Sequence, residues 1–251
     1  MDWNKNDIVL ITGGSKGLGK NLIDLFLKKQ IKVINIDKEP LDNEDSKIYH
    51  YQCDLNDQNQ LKSIIDIIKE KHGYPSIIIN NAAIRHSNNL LELSSTEISS
   101  LLTINLISPI SIYKSFIQFN SKRQYIITIA SVLGFISPAN LSIYSSTKAA
   151  LISLHDSLTH ELSSNGQIRT LLVVSGQLNT SLFKDINPPK QFIAPVIDSK
   201  KLADLIVEKI ENGERGILYL PLFTLIVPLL KSLPNFLTEF IRWFSEMDTS
   251  V

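Results

Sequence analysis

A single cysteine, Cys53, stands among 251 residues, so no intramolecular disulfide can form and the stapled scaffolds of small secreted domains are excluded. The start, MDWNKND, has no basic segment followed by an apolar one, which is not the pattern of a secretory leader. Both features predict a reducing, cytosol-facing compartment. Charge of one sign is not in excess either: Lys plus Arg and Asp plus Glu both count 25, without a long single-sign run. Nucleic acid is therefore not an expected partner. The five histidines, His50, His72, His86, His155 and His160, form no ligand-spaced pair, and no Gly-x-Ser-x-Gly elbow occurs. No metal is expected, and a serine-hydrolase site is excluded.

No Pro/Gly/Ser-rich linker, internal repeat or low-complexity tract divides the chain. A length that also permits two domains is therefore read as one. Hydrophobic residues make up 43%, enough for a continuous core. Apolar runs rich in Ile and Val at 8–12, 32–37, 76–80, 124–131 and 168–175 alternate with segments of helical period at 17–30, 57–72, 96–120, 143–164 and 199–212. Strands that read as unbroken apolar runs are buried on both faces, which requires helices on both sides of a parallel sheet. The expectation is a single doubly wound α/β domain of Rossmann type over residues 1–221. A strongly apolar, proline-broken helical extension then runs over 222–251.

The first run leads into Thr12-Gly13-Gly14-Ser15-Lys16-Gly17-Leu18-Gly19 and then an amphipathic segment. A pyrophosphate needs close backbone approach and free amides at a helix N-terminus, which glycines at a strand-to-helix turn supply. Gly13, Gly17 and Gly19 are placed for this, with Ser15, Lys16 and Leu18 between them. Eighteen residues past Gly19, Asp37 ends the second run, where a carboxylate can accept from an adenosine ribose and would repel a 2′-phosphate. Lys16 and Lys38 are the opposing signals, and a solvated strand end is the plainer alternative for Asp37. The balance favours NAD over NADP.

Tyr144-Ser145-Ser146-Thr147-Lys148 sets a phenol and an ammonium at i and i+4, neighbours on one face of a helix. Free tyrosine, with a pKa of about 10, is a poor base near neutrality. A nearby cation stabilises its phenolate and suits it to acid/base exchange with an alcohol. Taken alone, the spacing is also that of an ordinary helix face.

Together with Asn80-Asn81-Ala82-Ala83 and with Ser131, thirteen residues before Tyr144, these motifs resemble the short-chain dehydrogenase/reductase family over roughly residues 7 to 221. The resemblance implies a catalytic tetrad of Asn105 (holding a water), Ser131 (orienting the substrate oxygen), Tyr144 (acid/base) and Lys148, which also holds the nicotinamide ribose. It further implies adenine contact at Asp54-Leu55, cofactor-lining positions at Asn81, Ala82 and Ala83, and carboxamide contact at Thr180. Taken alone, Asn105 is an ordinary mid-helix asparagine. Ser175-Gly176 departs from the Pro-Gly usual after that strand. The stretch 192–221, Asn179-Thr180 and Met247-Asp248 look like the branch holding retinol dehydrogenases and lipid-droplet 17β-hydroxysteroid dehydrogenases.

From Ile217 to Leu230 the apolar run is shorter than the ~18–20 residues of a membrane span, and Pro221 and Pro228 interrupt it. Members of that branch typically carry an N-terminal hydrophobic anchor, and none is read here, so membrane attachment does not carry over intact. Two readings of the tail stay open. One is an in-plane membrane helix inserting Phe223, Phe236, Phe240, Trp243 and Phe244. The other is a flap over the substrate pocket and homodimer partner.

The expected function is NAD(P)-dependent interconversion of a lipophilic alcohol (steroid, retinoid or long-chain) and its carbonyl. The expected location is cytoplasmic, or peripheral on the endoplasmic reticulum or a lipid droplet. The alternative is a catalytically idle nucleotide-binding scaffold or sensor at a lipid surface.

Overall fold

A computed structural model of the protein describes residues 7–41, 45–119, 123–186, 190–192 and 194–249. The N-terminal stretch read above as lacking a leader lies, up to residue 6, outside the described residues, as do residues 250 and 251 of the tail. Seven strands form one wholly parallel sheet: β1 Ile8–Thr12, β2 Lys32–Asp37, β3 Ile48–Gln52, β4 Ile77–Asn80, β5 Gln124–Ile129, β6 Ile168–Ser175 and β7 Gly216–Leu220, in the order β3-β2-β1-β4-β5-β6-β7. In β1, Val9 pairs with Val33 on one side and Ile77 on the other.

Successive side chains of a strand point to opposite faces. Accordingly Val9, Ile11, Ile77 and Ile79 pack with α1 (Gly17–Lys28) and α6 (Ser199–Asn212), through Phe26, Leu202 and Ile206 among others. Leu10 and Ile78 face the other way, onto α2 (Gln58–His72) and a later helix, through Leu61, Ile65, Ile112 and Phe116. This two-sided burial is why the central strands read as unbroken apolar runs. Chain order reverses between β1 and β4, and at such a switch point the strand ends diverge into a ligand-sized crevice.

Two departures from the sequence expectation have local causes. Strand β3, IYHYQ, is only half-buried at the sheet edge, so it never shows the unbroken apolar run that marks its neighbours. The segment 96–120 is two helices, α3 Ser95–Leu102 and α4 Ser108–Phe116, joined by a π-turn over Thr103–Ile107 that turns the buried Asn105 inward.

The tail adds two further helices. After β7 the chain makes a short turn of helix α7, Val227–Leu230, and then α8, Asn235–Ser245; the long helix between β5 and β6 is α5, Ser142–Glu161. The first part of this tail is packed into the domain: Thr224 and Val227 are buried, and Val227 joins Val132, Leu172 and Val174 in an apolar cluster. Among the described residues no helix is long and apolar enough to cross a membrane.

Candidate active site

A cleft of about 420 Å³ runs along the C-terminal ends of the strands and meets a second, apolar cavity of about 240 Å³ at Ser131, Gly176 and Phe183. The nucleotide end is built from the glycine turn. Gly13 and Gly17 hold φ of +69° and +57°, a region that side chains rarely adopt. A Cβ on Gly13 would also lie 2.8 Å from Ala82 Cα. Gly19 is needed for contact instead: its Cβ would fall 2.1 Å from the Gly13 carbonyl oxygen, so only glycine seats α1 on the turn.

The turn's amides are held from β2. Gly14 N donates to Asn35 Oδ1 at 3.0 Å and Ser15 N to Asp37 Oδ2 at 2.9 Å. From β4, Asn81 Nδ2 donates to the carbonyls of Thr12 and Gly13, both at 2.9 Å, while Asn81 N and Ala82 N donate to Thr12 Oγ1. The first turn of α1 has neither a side-chain cap at Lys16 nor an acidic residue. Its amides are therefore left to an anion, as a pyrophosphate requires.

Asp37 is no solvated strand end, since Oδ1 also accepts from Glu39 N at 3.1 Å and the carboxylate faces the cleft. Lys16 lies within 3.6 Å of Glu39, which offsets its charge. Asp54 and Leu55 line the same end beside Cys53, whose thiol is pushed up to about 11 by burial and then by Asp54 and Asp57.

At the other end Tyr144 and Lys148 project from α5, each 3% exposed, with Ser131 at the end of β5. Lys148 Nζ donates to the Ile129 carbonyl at 3.0 Å and sits 5.7 Å from the centre of the Tyr144 ring. Burial lowers the Lys148 ammonium to about 8. Burial pushes the Tyr144 phenol well above its ordinary value, against which a hydrogen bond with Ser131 and then the charge of Arg85 pull it down. Lys148 thus stands over the Tyr144 ring as expected, and Arg85 brings a second positive charge near the phenol.

The structure thus gathers Gly13, Lys16, Gly17, Leu18, Asp37, Asp54, Leu55, Asn81, Ala82, Ala83 and Thr180 along one cleft with Ser131, Tyr144 and Lys148. Three predicted residues stand behind its wall. Gly19 and Ser15 support the turn, and Ser15 Oγ donates to the Glu39 carbonyl at 3.0 Å. Asn105 spends its side chain on structure: Oδ1 accepts from Ile84 N at 2.9 Å, and Nδ2 donates to the Ile84 carbonyl at 2.8 Å and to Thr147 Oγ1 at 3.2 Å. It fixes the loop after β4 beside the site without lining the cleft.

Sequence reasoning missed Asn35, Arg85 and Phe183. Asn35 had a signal, being a polar residue inside an apolar strand. The other two meet the site through contacts distant in the chain, Arg85 with Leu182 and Asp185 and Phe183 with Tyr144.

A glycine turn at the switch point of a parallel sheet, with an acid at the end of β2, defines a Rossmann-type dinucleotide-binding domain. Residues 7–191 match the family model described as short chain dehydrogenase, and the chain belongs to the short-chain dehydrogenase/reductase family of oxidoreductases. Oxidoreductase TDA5 of Saccharomyces cerevisiae is 36% identical over 252 residues, covering 97% of this chain and 77% of that one. Epidermal retinol dehydrogenase 2 of Mus musculus is 26% identical, covering 90% and 78%, and estradiol 17-beta-dehydrogenase 11 of Rattus norvegicus 24%, covering 84% and 74%. These relatives are consistent with the branch named above.

Among solved structures, 4-hydroxyisoleucine dehydrogenase complexed with NADH has a TM-score of 0.75 at 22% identity, covering 85% and 97%. A short chain dehydrogenase from Burkholderia cenocepacia in complex with NADP has 0.77 at 18%, covering 94% and 96%.

Proposed function

We propose that this protein interconverts a lipophilic alcohol and its carbonyl with a nicotinamide dinucleotide, preferring NAD. The observation that carries the reading is the meeting of Ser131, Tyr144 and Lys148 where a nucleotide-shaped cleft opens into an apolar cavity. The dinucleotide, when bound, supplies the hydride donor and acceptor. Ser131 orients the substrate oxygen. Tyr144, kept protonated by burial, donates to that oxygen in reduction and takes the proton back in oxidation, eased by Ser131 and Arg85. The second cavity, lined by Val132, Leu133, Leu141, Phe223 and Val227, would take the apolar body of the substrate.

The NAD preference rests on Asp37 and Glu39, two acids at the ribose end. Turnover of steroids, retinoids and fatty alcohols followed by nicotinamide absorbance with both cofactors tests the whole reading. No turnover with any lipophilic alcohol sinks it. Tighter binding of NADP than NAD overturns the preference alone. Asp37→Ala should weaken NAD about tenfold, the loss of roughly 1.4 kcal/mol, and improve NADP.

One observation favours a lipid surface as a partner. Phe236, Phe240 and Trp243 are 69%, 57% and 73% exposed along one face of α8, while Ile241 and Ser245 on the other face line the apolar cavity. Such a helix would lie in a membrane interface and bind reversibly. Flotation with phospholipid vesicles checks this, and recovery of all the protein unbound removes it.

A further inference from the structure

Arg85 lies in the loop that follows β4, next to Ile84, and its side chain is only 5% exposed. We propose that Arg85 is a positioning residue that fastens the loop 181–185 against the catalytic tyrosine. The assignment rests on the catalytic reading above. The planar guanidinium donates in three directions: from Nε to the Leu182 carbonyl, from Nη1 to Ser87 Oγ and from Nη2 to Asp185 Oδ1. A fork of fixed donors holds a loop in one place in a way that a single ammonium cannot. Its Cζ lies 5.1 Å from the centre of the Phe183 ring, and that ring meets Tyr144 edge-on at 5.9 Å. An unbroken line of contacts therefore runs from the end of β4 through Arg85 and Phe183 to Tyr144. Phe183 lines both cavities, so the loop that Arg85 holds forms part of the wall where substrate meets the reacting groups.

The same placement has an electrostatic consequence. The groups around the phenol that carry charge are Lys148 on its own helix and Arg85 from the β4 end, with Asp185 as the counter-ion of Arg85. Asp185 is 61% exposed and screened by water, whereas the guanidinium is buried. The pair therefore presents a net positive field inward, which favours the phenolate. Removing either member of the pair should move the ionisation of Tyr144 in opposite directions. A merely structural role would not produce that split.

The test uses the full chain with Arg85→Met, Arg85→Lys and Asp185→Asn. Hydrogen exchange of segment 181–186 is measured without cofactor. The ionisation of Tyr144 is followed in the NAD-bound protein by the NMR signal of its ring carbon bearing the hydroxyl, assigned with Tyr144→Phe. Arg85→Met should lose exchange protection in that segment, raise KM for a lipophilic substrate on the order of tenfold, as expected for hydrogen bonds to a charged group, and move the Tyr144 titration to higher pH. Arg85→Lys should restore the titration but not the KM, because it returns the charge without the fork. Asp185→Asn, a change at an exposed position that the fold should tolerate, should move the titration to lower pH.

Unchanged exchange in Arg85→Met overturns the fastening. A titration that moves the same way in Arg85→Met and Asp185→Asn, or does not move, overturns the positioning role. If the unmodified protein turns over no lipophilic alcohol, the proposed function falls, while the exchange measurement still decides whether Arg85 holds the loop.

Discussion

At the nucleotide end of the cleft, backbone amides and small side chains hold one another within the strand ends. Asn81 ties Thr12 to Gly13, Asn35 holds Gly14, and Asp37 holds Ser15. Around the apolar cavity, elements far apart in the chain are tied by long, partly exposed charged side chains. Arg242 reaches both Asp248 and the Ser137 carbonyl, Ala139 N donates to Asp248 at 2.8 Å, and Lys190 pairs with Glu246 at 3.3 Å. The first kind of contact has little freedom to rearrange. The second is worth only ~0–1 kcal/mol per exposed pair and can open. The comparison teaches that the glycine-turn end of the cleft is built from the sheet itself, whereas the apolar cavity is closed by elements strapped on from elsewhere in the chain.

Four changes would break or sharpen that contrast. Tyr144→Phe stands where the two ends meet and removes the proton donor, so turnover should fall by ~10² to 10⁴ while dinucleotide binding is kept. Steady-state rates alongside cofactor titration check both halves of that statement.

Gly19→Ala strikes the rigid end. Its Cβ lands on a backbone carbonyl that cannot move aside, so we expect a loss of ~1–3 kcal/mol in urea unfolding together with weaker dinucleotide binding.

Lys148→Met probes the buried cation between them. The folded protein holds this ammonium at about 8 against a usual 10.5, so between those values the unfolded chain binds more protons. Stability from this group therefore rises with pH across the window and is lowest below it. The variant should flatten that rise and gain stability near neutrality. An equally steep rise in the variant would show that Lys148 is not its source.

Arg242→Met loosens only the strap. A change of ~1 kcal/mol or less in stability is expected, with a few-fold rise in substrate KM and no effect on cofactor affinity. A larger loss of cofactor affinity would erase the distinction between the two ends.

Much of this was legible in the residues themselves. Strands buried on both faces have to be apolar throughout, which is why β1, β2 and β6 were bounded to the residue. Edge strand β3 escaped because one side faces solvent and its apolar residues do not run together. Asn105 is legible as a site residue, but neither the π-turn that carries it nor its hydrogen bonds to the Ile84 backbone registers in periodicity.

The amino-acid order by itself determined the doubly wound sheet, the glycine turn with Asp37 and the Tyr144–Lys148 pair, because each depends on local spacing and on backbone rules that act within a few residues. Tertiary structure alone brought Arg85 near the phenol and set α8 against the apolar cavity. Arg85 reaches Tyr144 through a loop about 100 residues later in the chain, and α8 faces the cavity through contacts with residues 137–139. Such pairings follow from how the closed fold brings distant surfaces together, and no pattern along the chain encodes them.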